Sequence, residues 1–82
     1  MFRVFLSYPM SAYMDNSVDE AKLAEDVKMF GGEEFGSGAG FGQRDVEYGS
    51  FPNWEQASDF AAHAMGVHED ADSYVEKEDE NV

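Results

Sequence analysis

FGSGAGFGQRDVEYGSF, residues 35–51, decides the fold: glycine stands at every second position from Gly36 to Gly42, and the chain then changes to alternating charge and bulk. If this stretch is extended, Phe35, Ser37, Ala39 and Phe41 point one way, while Gly36, Gly38, Gly40 and Gly42 point the other. A second strand follows from Arg44 to Phe51, in which Arg44, Val46 and Tyr48 oppose Asp45 and Glu47. The turn falls near Gly42 and Gln43, with Gly40 an equally legal place for it. The reading is a hairpin whose first strand has a bare face.

Glycine-rich stretches also cradle phosphate, but this one lacks the pattern. G-x-G-x-x-G begun at Gly36 meets Phe41 where the third glycine should stand, and begun at Gly38 it meets Gln43. There is no GK[ST], no helix follows directly, and Glu33 and Glu34 would repel an anion.

Outward from the hairpin, FRVFLSYPM (residues 2–10) sets Phe2, Val4, Leu6 and Tyr8 on one face and Arg3, Phe5 and Ser7 on the other, a strand stopped by Pro9. Residues 10–16 read as a polar connection. Ser17 reads as an N-cap, with Glu20 completing a capping box, and Leu23, Ala24, Val27 and Phe30 form the apolar stripe of the helix that follows. Asp19, Glu25 and Asp26 fall outside that stripe, and Gly31 and Gly32 end the helix. The second helix is capped by Asn53 with Gln56 three residues on. Its stripe is Trp54, Ala57, Phe60, Ala61, Ala64 and Met65, and Gly66 ends it.

The pattern β-α-β-β-α is an α+β fold. A crossover helix and a hairpin fit a small three-stranded antiparallel sheet in the order 1-3-2, covered on one face by two helices, a truncated ferredoxin-like arrangement. Residues 1–68 make a single domain. After Val67 only Tyr74 and Val75 interrupt a polar run, so 69–82 reads as an acidic mobile tail. The first strand keeps an unpaired edge, open to a partner's strand or to a second copy, which leaves a homodimer open.

Composition bounds the function. Eighteen Asp and Glu face five Lys and Arg, a net charge of −13, which disfavours nucleic acid, anionic membranes and phosphorylated ligands and favours a basic partner. Eleven acids against four bases lie in residues 1–68 and seven against one in 69–82, so the acidity belongs to the body as well as the tail. No cysteine is present, which suits a reducing cytoplasm, and the apolar run Val4–Leu6 is too short for a signal or membrane segment.

Signs of catalysis are missing from the motifs. His63 and His68 are separated by i, i+5 with Gly66 between them, unlike the i, i+4 spacing of zinc helices, and the tail has no calcium-loop pattern. Neither Ser37 nor Ser50 lies in G-x-S-x-G. The expectation is a protein without enzymatic activity, cofactor or metal. Asp45 and Glu47 project from one strand face at roughly 6–7 Å, and the first helix presents Asp19, Glu20, Glu25 and Asp26. With Glu33 and Glu34 these are the candidate partner-binding residues, at spacings compatible with a row of phosphates.

In size, acidity and absence of catalytic motifs the chain resembles the small phage-encoded inhibitors that include anti-CRISPR proteins and DNA mimics. The resemblance implies a protein of the host cell cytoplasm that occupies the nucleic-acid-binding channel of a nuclease complex and competes with DNA or guide RNA. Two other readings stand beside it. One is a small adaptor binding through a strand edge or a Met- and Phe-rich face, and the other is a domain whose acidity serves solubility or salt adaptation.

Overall fold

The computed structural model describes residues 1–78. The element order is β1 (Phe2–Pro9), α1 (Met10–Met14), α2 (Glu20–Met29), β2 (Glu33–Gly40), β3 (Gln43–Phe51), α3 (Trp54–Met65) and β4 (Asp72–Lys77). The strands form an antiparallel sheet in the order β2-β3-β1-β4. The class is α+β, but the described residues hold four strands and three helices where the sequence pattern suggested three and two.

The additional strand comes from the stretch expected to be a mobile tail. β4 pairs with β1 from Ser7↔Asp72 to Phe2↔Lys77. Its polarity conceals it, yet a strand at this position needs little apolar surface. Val75 packs on the core, Ser73 Oγ donates to the Ala61 carbonyl at 2.9 Å, and the Tyr74 ring stacks on Phe5 at 4.9 Å between centroids. β4 thereby occupies the edge of β1 that the three-stranded reading left open, and the chain fills for itself the place proposed for a second copy. Residues 79–82 of the expected tail lie outside the described residues.

One face of the sheet carries the core. Val4, Leu6 and Tyr8 of β1 and Val46, Tyr48 and Phe51 of β3 form a single buried cluster with Ala12, Val18, Leu23, Val27, Ala57, Phe60, Ala61 and Ala64. Phe60 is its hub, with ring centroids 4.8 Å from Tyr48, 5.5 Å from Phe30 and 5.6 Å from Phe51. Trp54 and Met65, expected in the α3 stripe, are instead exposed.

The connection at 10–16 contains the short helix α1, whose Met10 N–H donates to the Gly42 carbonyl at 2.9 Å and whose Ala12 is buried. Asp19, not Ser17, caps α2 by accepting from the Lys22 N–H at 3.0 Å. Ser17 is held one turn earlier, its N–H donating to Asp15 Oδ1, and Val18 then drops into the core. At the far end Gly31 takes φ +88°, with its N–H on the Lys28 carbonyl and the Gly32 N–H on that of Val27. Those two bonds make a left-handed C-cap that glycine enters without steric cost. Asn53 caps α3 as the sequence indicates, accepting from the Gln56 N–H at 2.8 Å. The β2–β3 turn is Phe41–Gly42, both at positive φ, closed by the pair Gly40↔Gln43.

Candidate functional site

Because β1 sends Val4, Leu6 and Tyr8 into the core, Arg3, Phe5 and Ser7 face the other way. Cross-strand partners share a face, so the registers assemble the open side of the sheet in rows. Tyr74, Phe5, Glu47 and Gly36 form one row; Asp72, Ser7, Asp45 and Gly38 form the next; Glu76 opposite Arg3 begins a third. On the β1–β4 side of this face lies the Phe5–Tyr74 stack, with rings 16° from parallel. Asp45, Glu47, Asp72 and Glu76 surround it.

Two irregularities shape one end. The β2–β3 register shifts between Glu34 and Gly36, so Phe35 and Gly36 share the place opposite Glu47. Phe35 therefore lies with the glycine face, not with Ser37 and Ala39 as simple alternation suggests. Its ring covers Gly49, where a Cβ would fall 2.4 Å from the ring edge. The second shift, between Phe2 and Val4 of β1, places Gly49 and Ser50 opposite Arg3. Ser50 has φ +65°, and its N–H donates to Glu78 Oε1 at 3.1 Å. Arg3 bridges this end, 3.0 Å from Glu47, 3.6 Å from Glu78 and 5.6 Å from the Phe35 ring centroid.

Between these features lies an open trough of about 620 Å³ lined by Phe5, Ser7, Gly36, Gly38, Asp45, Glu47 and Tyr74. A Cβ at Gly36, Gly38 or Gly40 would meet nothing within 4 Å. The bare strand face is thus one wall of an open depression.

Of the eight acids singled out in the sequence, the trough gathers Asp45 and Glu47. Glu33 and Glu34 lie at the start of β2, outside the trough lining, and the others belong to α2 and its cap, in the helical layer. The eight do not share one surface. Besides the Asp19 cap and the Arg3–Glu47 pair, two of them are engaged in the helical layer. Glu20 accepts both Arg44 Nε and Nη2 at 2.8 Å and also the Tyr8 hydroxyl, while the Arg44 guanidinium lies 4.2 Å from the Tyr13 ring centroid. The Arg44 hydrogen bonds hold the Glu20 carboxyl below its ordinary range, and burial, reinforced by Glu20, pushes the Tyr8 hydroxyl up. Asp26 meets His63 Nε2 at 2.9 Å and Lys22 Nζ at 3.4 Å, and the His63 hydrogen bond is the chief cause of its lowered pKa. It is also buried, contrary to its place outside the apolar stripe.

Sequence reasoning missed Phe5, Tyr74, Asp72 and Glu76 as parts of a site. The signal was the alternation of Asp72, Tyr74 and Glu76 with Ser73 and Val75, hidden within an acidic run. Among the described residues no three His, Asp or Glu side chains converge on a metal position, and no helix is long and apolar enough to cross a membrane. Comparison with protein-family models, with curated proteins and with solved structures finds no match to this chain.

Proposed function

We propose that this is a non-enzymatic acidic binding protein that inhibits a nucleic-acid-binding protein or nuclease complex, in the manner of anti-CRISPR proteins and DNA mimics. Its open sheet face docks on the partner's basic surface and keeps nucleic acid out. One observation carries the reading: Asp45, Glu47, Asp72 and Glu76 surround the Phe5–Tyr74 stack on one solvent-facing side of the sheet. Lys and Arg groups that close on phosphates find carboxylates there, and guanidinium planes find aromatic faces. The partner-facing set is then Asp45 and Glu47 with Asp72 and Glu76 added; Glu47 also meets Arg3, on the same open face, whereas Glu20 and Asp26 are set aside because their contacts fasten the helical layer.

In finer detail the fold is a ferredoxin-like split β-α-β, with α1 an insertion after the first strand; the β-α-β-β-α-β succession and the hairpin between β2 and β3 support this. The working compartment is the cytoplasm of the cell that holds the target.

The test is capture from a host lysate at physiological salt, with and without excess duplex DNA or guide RNA. A nucleic-acid-binding complex that the competitor displaces is the expected result, with Asp45→Lys/Glu47→Lys weakening capture several-fold. Undiminished capture by that double variant refutes the assignment to this face. A partner indifferent to nucleic acid refutes mimicry.

A further inference from the structure

β2 is a terminal strand of the sheet, and all eight of its residues are exposed. Natural sheets blunt such edges with lysine, proline, bulges or cover. From Gly36 to Gly40 this strand has none of these: the register with β3 runs without interruption and the residues are Gly, Ser and Ala. Behind the edge lies the trough, with Gly36 and Gly38 as its near wall and Glu47 and Asp45 as the next side chains inward.

The geometry points to an extended basic segment of the partner adding itself to β2 as a fifth strand, with Lys or Arg at alternate positions laid across Gly36 and Gly38 toward Glu47 and Asp45. This rests on the reading that the open face meets basic groups, and it specifies how. A strand added to β2 stands roughly 4.8 Å from it, hence roughly 9.6 Å from β3. In an ordinary sheet the intervening side chain blocks that span. Here the intervening residues are glycines whose Cβ positions are empty. A long cationic side chain lying flat and a carboxylate reaching back close the gap between them, whereas a short or apolar side chain leaves the trough wet or sets hydrocarbon against charge. The Phe5–Tyr74 stack at the far end offers a ring face to a guanidinium that extends further. Charge selects this occupant over a second copy: two chains of net −13 meeting at β2 would set like-charged troughs side by side.

The experiment compares two end-blocked synthetic peptides of identical composition. One alternates Thr and Lys; the other carries its lysines contiguously. The native protein should bind the alternating peptide about fivefold more tightly at low salt, since two cross-strand charge pairs are at stake, and the amides of Glu33–Gly40 should exchange more slowly in the complex. Gly36→Val/Gly38→Val fills the lane with residues suited to a strand. It should keep the native circular dichroism and lose the preference between peptides. Equal affinity for the two peptides, unslowed β2 amides, or a preference that survives in the valine variant overturns the proposal. Sedimentation showing that the native protein pairs with itself through β2 overturns it too. If any of these occurs while Asp45→Lys/Glu47→Lys still loses the nucleic-acid-binding partner, strand addition has failed and the inhibitory reading stands. If the charge reversal changes nothing, that reading has failed as well.

Discussion

Replacing Glu20 by Gln should destabilise the fold far more than removal of a surface charge. Glu20 and Arg44 leave only 18% and 15% of their side chains exposed, and the carboxylate takes both guanidinium donors together with the Tyr8 hydroxyl. In Glu20→Gln the guanidinium stays enclosed without a counter-charge. Breaking a fully buried pair from one side costs about 3–5 kcal/mol, and residual hydration here reduces that to about 2–3 kcal/mol. A domain of this size has roughly 4–12 kcal/mol in all, so thermal unfolding followed by circular dichroism should show Tm lower by about 8–24 °C. The companion variant tests the cause. Tyr8→Phe/Glu20→Leu/Arg44→Met removes both charges and the hydroxyl left behind, and it should return to within about 1–2 kcal/mol of the native protein, the remainder including the lost Arg44–Tyr13 contact. A loss below about 1 kcal/mol in Glu20→Gln would mean that the pair behaves like a solvated one. The claim that it clamps α2 to β3 would then be wrong.

Acid should weaken the fold for a related reason. The folded state depresses Glu20 through Arg44 and Asp26 through His63, so this stability is complete above the ordinary carboxylate range and is lost as pH falls through the depressed values; urea midpoints should drop on acidification below about pH 4.5, less steeply in Glu20→Gln. Truncation after Ala71 removes β4 and the Glu78 contact to Ser50, and should yield a chain that melts early or self-associates by sedimentation, whereas a dispensable tail would leave both unchanged. Phe41 is fully exposed at φ +54° before Gly42, so Phe41→Asn, which creates the favoured Asn-Gly turn, should raise stability by about 0.5–1 kcal/mol in urea titrations. Added salt should raise Tm by screening the net charge while weakening partner capture, and parallel trends in the two would contradict an electrostatic interface.

The elements legible in the sequence were those that announce themselves locally. Asn53 with Gln56, the Gly31–Gly32 stop and the alternation of β1 are decided by residues within one turn of each other, and the structure keeps all three. What was hidden depends on distant partners. The Asp19 cap wins over Ser17 because Val18 must reach the core, and β4 exists because β1 offers it an edge and α3 a carbonyl. An alternation with only two apolar residues, set in an acidic run, is too faint to mark a strand apart from such a template. The same holds for the site: Asp45 and Glu47 could be placed on one face from their spacing, but a bulge decides that Phe35 joins them, and bulges leave little mark in a glycine-rich run.

The cations divide the acidic surface into two kinds of carboxylate. Arg44 and Lys22, with the His63 imidazole, meet Glu20 and Asp26 on the helical side, where these contacts fasten α2 to β3 and α3. On the sheet side Arg3 alone spans Glu47 and Glu78, and Asp45, Asp72 and Glu76 carry no ion pair among the described residues. A reversal on the helical side removes an internal bond and is felt as stability. A reversal of Asp45 or Asp72 removes repulsion within the free protein, so folding should tolerate or even welcome it, whereas Glu76→Lys would set a like charge across from Arg3. On the proposed reading, a basic partner offsets the self-repulsion of the carboxylates crowded on this open face. The two sets therefore separate by experiment: one moves Tm with little effect on capture below the melt, and the other moves capture without lowering Tm.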